Sequence, residues 1–195
     1  MLMSSDTVMR ELKGYDSPKS KLTRLIQEGK IHHICHGVYA TEEDEPRLPI
    51  ASMIMEQSYL SFQTALFFHG LIPVDAAETL SSGYLLKRNR IVSTPYGYYS
   101  FLYIPPKAYP FALTTGEEGG YRFPIATPEK ALCDLIYRHE PFSTLVELET
   151  FFEQEVRINR STLINLDWNV IKALSSAYRC RNFLDLRTWR EQNVR

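Results

Sequence analysis

Ser17-Pro18-Lys19-Ser20-Lys21-Leu22-Thr23-Arg24-Leu25-Ile26-Gln27-Glu28-Gly29, continued by Lys30-Ile31-His32-His33-Ile34-Cys35-His36-Gly37-Val38-Tyr39-Ala40, reads as a helix followed by a tight hairpin. Ser17 before Pro18 is a helix start: a small polar cap, then the imino acid whose missing N–H costs nothing in the first turn. Gly29 marks the stop, because glycine enters the left-handed conformation that closes a last turn. Ile31–Cys35 and Val38–Ala40 are short strand-forming runs turned at His36-Gly37. Inside the helix, Leu22, Leu25 and Ile26 fall on one stripe at helical spacing and face inward. Ser20, Thr23, Arg24 and Gln27 lie opposite, flanked by Lys19 and Lys21. That set suits a DNA major groove: Arg forks onto guanine, Gln onto adenine, and Ser, Thr and Lys hold phosphates. The hairpin adds Lys30, His32, His33 and His36 for the backbone. From Ser17 to Ala40, Lys19, Lys21, Arg24 and Lys30 stand against Glu28, a formal +3. A helix with one polar face is also the ordinary solvated surface. The helix–hairpin order, with Gly29 and Gly37 at the two turns, is what favours the DNA reading.

Working outward, Asp6 is placed to cap a helix running to Lys13, broken at Gly14-Tyr15-Asp16. Residues 1–41 thus form a winged-helix-like module. Glu42-Glu43-Asp44-Glu45, followed by Pro46 and Pro49, makes a poor helix or strand interior, so 42–49 reads as a linker. The body, 50–195, opens with helices over Ile50–Gln57 and from Ser61 through Phe68, ending at Gly70. Strands follow at Thr79–Leu86, Arg90–Thr94, Tyr98–Tyr103 and Tyr121–Ile125, rich in Tyr, Thr, Val, Ile and Phe. Thr127-Pro128 starts a helix with Ala131, Leu132, Leu135 and Ile136 on one face. Further helices are expected at Ser143–Glu155, Asp167–Tyr178 and Asn182–Gln192. Helices, then strands, then helices give an α+β class: an N-terminal winged-helix-like module followed by a mixed body of helices around a small antiparallel-rich sheet.

The 195 residues are 44% hydrophobic and 23% charged, ordinary for a globular chain. A net charge of −1 excludes a uniformly basic coat but leaves room for a local patch. Cys35, Cys133 and Cys180 are too far apart for a CxxC zinc pair and are odd in number, so no disulfide framework is drawn. The start lacks a basic run followed by an apolar one, and no stretch reaches the roughly 18–20 apolar residues of a bilayer span. A reducing cytoplasm without membrane contact is the expectation.

His32-His33-x-Cys35-His36 invites a metal. Strand alternation puts His33 and Cys35 on one face and His32 and His36 on the other, with no second Cys/His pair to complete four ligands. No metal and no cofactor are expected. Neither a P-loop nor GxSxG is present. Glu11-Leu12-Lys13 and Glu28-Gly29-Lys30 resemble nuclease metal strings but read more simply as a surface pair and a helix end. His69 and His139 sit at helix ends. Cys133 and Asp134 point about 100° apart, so Cys133 is expected in the core. No enzyme is expected. The cations Lys172, Arg179, Arg181, Arg187, Arg190 and Arg195 read as the solvated side of an amphipathic helix pair rather than a second nucleic-acid surface. Glu140–Glu155, with five Glu and no Lys or Arg, is an acidic stripe; a mimic of nucleic acid toward a basic toxin is its less favoured reading, and Phe151 and Phe152 read as core.

The Ser17–Ile26 string, Gly29-Lys30-Ile31 and Gly37-Val38-Tyr39-Ala40 together resemble the winged-helix start of the abortive-infection AbiE-type antitoxins, a type IV antitoxin and viral-defence regulator family. Tyr59-Leu60-Ser61 with Ala65-Leu66 and His69-Gly70-Leu71-Ile72-Pro73 is similar to that family's helix pair. Thr94-Pro95-Tyr96-Gly97 with Tyr103-Ile104-Pro105 resembles its central strands, and Ala126-Thr127-Pro128-Glu129-Lys130-Ala131-Leu132-Cys133-Asp134-Leu135-Ile136-Tyr137 its most recognisable helix. The pieces span roughly 17–137 in the family's order. The resemblance implies a regulator that binds double-stranded DNA at its own promoter, represses it, and antagonises a co-encoded nucleotidyltransferase toxin directly or indirectly; a homodimer on a repeated site would be the usual remedy for the modest affinity of three or four phosphate contacts. The contact residues read from the helix face and the hairpin are Lys19, Ser20, Lys21, Thr23, Arg24, Gln27, Lys30 and His32. One departure is plain: family wings carry Arg or Lys where this chain has His32, His33, Cys35 and His36, implying a weaker phosphate clamp at neutral pH. The alternative is a protein-interaction antitoxin module with little or no DNA binding.

Overall fold

A computed structural model describes residues 1–73 and 76–193. The first 40 residues give β1 (Leu2–Ser4), α1 (Ser5–Glu11), α2 (Pro18–Gln27), β2 (His32–Cys35) and β3 (Val38–Ala40). The strands form an antiparallel sheet in the order β1-β3-β2. Strand β1 was not expected. The cap of α1 is Ser4, not Asp6. Ser4 is extended and its Oγ accepts from the Thr7 N–H at 3.2 Å, whereas Asp6 already lies in the first turn. Gly29 and Gly37 have φ of +67° and +84°, the left-handed turns required of them.

This sheet uses both faces. Met3 and Tyr39, paired in register, pack with Val8, Leu12, Leu22 and Ile31 beneath α1 and α2. Leu2, Ile34, Val38 and Ala40 belong to the large core of the body. The acidic stretch is fastened as well. Glu45 is buried and ion-pairs with the Met1 ammonium, and the Tyr96 hydroxyl donates to the Glu42 carbonyl at 3.1 Å.

The body holds α3 (Arg47–Ile54), β4 (Ser58–Leu60), α4 (Phe62–Phe68), β5 (Thr79–Gly83), β6 (Arg90–Thr94), β7 (Gly97–Leu102), β8 (Leu113–Glu118) and β9 (Tyr121–Ala126). Then come α5 (Pro128–Arg138), α6 (Leu145–Thr150), a π-helical turn (Phe151–Val156), α7 (Arg160–Ile164), α8 (Trp168–Tyr178) and α9 (Asn182–Asn193). Helix α3 starts at Arg47 rather than Ile50, because Pro46 is extended at its cap and Pro49 is harmless in a first turn. It packs against β3. Strand β5 stops at Gly83, short of Leu86, as Leu85 turns left-handed at φ 51°. The short strands β4 and β8 and the helix α7 were unforeseen.

The six strands run β6-β7-β5-β4-β9-β8. Pairs β4–β5, β6–β7 and β8–β9 are antiparallel, while β4–β9 and β5–β7 are parallel. The fold is α+β, with an antiparallel-rich sheet of six strands. Edge strand β6 packs against β2, the edge strand of the smaller sheet. Helix α5 carries the helical centre: Ala131, Leu132, Cys133 and Ile136 are fully buried among α4, α8 and α9.

Candidate nucleic-acid interface

Helix α2 is held by its apolar stripe. Leu22 is buried, and Leu25 and Ile26 are half-buried against the same cluster. The helix therefore presents Lys19, Ser20, Thr23, Arg24 and Gln27 outward, all exposed. Several are engaged at home. Ser20 Oγ accepts from Ser17 Oγ at 2.8 Å, and Thr23 Oγ1 donates to the Lys19 carbonyl at 3.1 Å. Lys21 is half-buried, its ammonium 4.7 Å from the centre of the Tyr15 ring.

Glu28 is the local counter-charge. It receives Lys30 Nζ at 2.8 Å and Arg24 Nε at 3.5 Å. The hydrogen bond from Lys30, then the nearby charges of Lys30, Arg24 and Lys21, hold its carboxyl below the ordinary range. Two of the cations expected on DNA, Arg24 on a base edge and Lys30 on the backbone, thus share one carboxylate. These are exposed pairs, cheap to exchange for a phosphate partner.

The hairpin departs further from expectation. Its turn is tied down: the Ser5 N–H donates to the Gly37 carbonyl at 2.9 Å. His32 stands opposite Ala40 and Leu2, on the side facing the body. There it lines an open cleft with Ile26, Ile31, His33, Glu43 and Tyr96. His33 leans on Tyr39, ring centres 5.3 Å apart, and His36 is exposed at the turn. The pairing shifts between His33 and Cys35, so a bulge at Ile34 interrupts the alternation. Cys35 consequently shares a face with His32, not with His33 as strict alternation requires. Among the described residues no three His, Cys, Asp or Glu gather as a metal site, and no helix is long and apolar enough to cross a membrane.

The most constrained polar cluster was missed in the sequence. Lys130 and Asp134, one turn apart on α5, are both fully buried, with Nζ 3.0 Å from Oδ1. Tyr178 of α8 donates to Asp134 Oδ1 at 2.6 Å, and its oxygen accepts from Lys130 Nζ at 2.6 Å. Tyr59 and Ser61 donate to Asp134 Oδ2 at 3.0 and 2.6 Å. Burial draws the Lys130 ammonium down, opposed by the Asp134 carboxylate, and pushes Tyr59 and Tyr178 well up. Ser61, expected to cap α4, spends its hydroxyl here instead and makes no side-chain cap. The cluster fastens β4 and the start of α4 to α5 and α8. The signal was an i,i+4 Lys–Asp pair on a helix otherwise apolar at those positions.

Elsewhere, Cys133, Phe151 and Phe152 are core, and His69 Nε2 sits 2.8 Å from the Ala126 carbonyl. Lys172, Arg187 and Arg190 rim an open groove between α8 and α9, whereas Arg195 lies outside the described residues. In the acidic stripe, Glu149 accepts from Trp189 Nε1 at 3.0 Å and Glu147 from the Ser143 N–H at 2.7 Å, which gives two of its five carboxylates packing roles. Compared with protein-family models the chain matches none, and a search of curated proteins finds no match.

Proposed function

We propose that this chain is a DNA-binding regulator of the antitoxin kind, with α2 as the reading helix. One observation carries it: α2 is anchored by Leu22, Leu25 and Ile26 so that Lys19, Ser20, Thr23, Arg24 and Gln27 are all outward on one rigid element. Strand, helix, helix and hairpin in that order, with β1 paired to β3, support a winged-helix arrangement. Helix α3 of the body, packed on β3, is available as the further helix such modules use. Phosphate contacts by Lys19 and Lys21 position the duplex, and Arg24 and Gln27 read base edges. By the sequence resemblance, the target is its own promoter, the action is repression, and the body antagonises a co-encoded nucleotidyltransferase toxin. In this reading the protein is not an enzyme and works in the cytoplasm.

A second reading is a protein-interaction module with little DNA affinity. The engagement of Arg24 and Lys30 by Glu28, and the tied, histidine-bearing hairpin, favour it. The test is binding to the gene's own upstream DNA at low and moderate salt, beside a Lys21→Ala/Arg24→Ala variant. Selective, salt-sensitive binding that the variant loses supports the regulator. No binding at low salt removes it and leaves the interaction module.

A further inference from the structure

The hairpin after α2 is too short and too tightly tied to reach along a duplex, yet a strongly basic loop lies beside it. Leading from β5 into the first residue of β6 the chain reads Lys87-Arg88-Asn89-Arg90, three cations in four residues. All four side chains are exposed. Among the described residues none of the three cations makes an ion pair, in contrast to Arg24 and Lys30 on the module. The loop is nonetheless fixed in place. Asn89 Oδ1 accepts from the Tyr103 N–H at 3.2 Å, and Arg90 begins β6, opposite Phe101 of β7.

Position matters as much as charge. Strand β6 packs against β2, and Arg90 is near enough to Cys35, the last residue of β2, for its charge to counter the burial that pushes that thiol up. The start of β6, and with it the basic loop, therefore lies toward the Cys35 end of β2. Helix α2 leads into the other end of the same strand. Four residues of strand span about 13 Å, well inside one turn of duplex, about 34 Å.

We propose that the Lys87–Arg90 loop of the body is a second DNA-phosphate contact that takes the part of an extended wing, gripping the duplex that α2 reads. This rests on the DNA-binding reading of α2. Unpaired, exposed cations release counterions from DNA without first giving up a protein partner, so they add to affinity and to salt dependence without adding sequence preference. The histidines of the tied hairpin need supply no charge at neutral pH. Module and body then act on DNA as one surface.

The test compares the slope of log affinity against log salt for the full chain and for Lys87→Gln/Arg88→Gln/Arg90→Gln, on upstream and scrambled duplexes. A charge-matched control, Arg122→Gln/Arg157→Gln/Lys172→Gln, changes exposed cations elsewhere. Each phosphate contact carries a slope of roughly 0.9. The loop variant should flatten the slope by about 2 to 3 and weaken both duplexes alike, with circular dichroism unchanged. The control should move the slope by less than about 1. A loop variant with the wild-type slope, or one matched by the control, overturns the loop contact while leaving α2 as reader. Wild-type protein that binds neither duplex at low salt overturns both. A flattened slope in the loop variant beside an unaffected Lys21→Ala/Arg24→Ala variant keeps the loop and removes α2.

Discussion

Asp134 accepts four hydrogen bonds, from Lys130, Tyr178, Tyr59 and Ser61, with no exposure to water. Asp134→Ala strands a buried ammonium and should cost about 3–5 kcal/mol in urea unfolding. Replacing both charges at once, Lys130→Met with Asp134→Leu, should cost less than Asp134→Ala alone; a larger cost would mean the pair is itself a net stabiliser. Burial raises the hydroxyls of Tyr59, Tyr99 and Tyr178 above their ordinary value. The unfolded chain loses those protons near pH 10 and the folded one keeps them. Stability from these groups is whole below that pH and falls as pH rises past it. Lys130, drawn down by burial, acts in the opposite sense, but it is one group against three. The urea midpoint should therefore drop above about pH 10, and a midpoint that holds flat to pH 11 or so would contradict this. At the surface, Glu28→Gln frees Arg24 and Lys30. If α2 reads DNA, affinity at moderate salt should rise roughly two- to five-fold, the scale of one exposed ion pair; unchanged affinity would show that neither cation meets the duplex.

Helices α1 and α2 rest on a small cluster of Met3, Val8, Leu12, Leu22 and Ile31, apart from the main core. They should open ahead of the rest of the molecule. Leu22→Ala removes the buried centre of that contact, a loss of about 2–5 kcal/mol, and should speed hydrogen exchange of α2 amides at least thirty-fold while those of Ile34 and Val38 hold. Acceleration everywhere would mean the module has no separate stability. Long, patterned elements were legible in advance. Helix α2, from Ser17-Pro18 to Gly29, and α5, from Thr127-Pro128, carry start signals and apolar stripes that no neighbour overrides. Strand β3 and strand β6 appear where their β-branched and aromatic residues put them. What escaped reading was short or tertiary. Three-residue β1 and β4 have no room for a period. Strand β8, Leu113–Glu118, holds a glycine and two glutamates, and its pairing is decided by β9. The bulge at Ile34 and the tie from Ser5 to Gly37 arise from packing, and they set which hairpin histidines face out. Candidate contact residues on α2 were visible because helical spacing alone sorts them. Arg24 and Glu28, one turn apart, are pairable from helical spacing alone, but the approach of Lys30 to the same carboxylate and the Lys87–Arg90 loop beside β2 needed the fold.

Over the whole molecule, the two sheets are less separate than the acidic 42–49 segment suggests. Leu2, Ile34, Val38 and Ala40 share one core with Tyr99, Phe101 and Ile125. Exchange of the Ile34 and Val38 amides should follow the same denaturant dependence as fluorescence of Trp168 and Trp189, which report the C-terminal helices. A chain lacking residues 1–41 should fail to give a sharp unfolding transition; a cooperative one would show that the body stands alone. Strands β2 and β6 are each the outermost strand of a sheet, and they touch, while Arg90, Ile91 and Ser93 of β6 stay exposed. An outermost strand carries a row of backbone groups without a strand partner, and on this flank it runs beside the exposed Ile91 and Tyr98. Heated near its midpoint, the protein should therefore be lost to intermolecular strand pairing along β6, and Ile91→Lys, which puts a charge on that edge, should slow the loss.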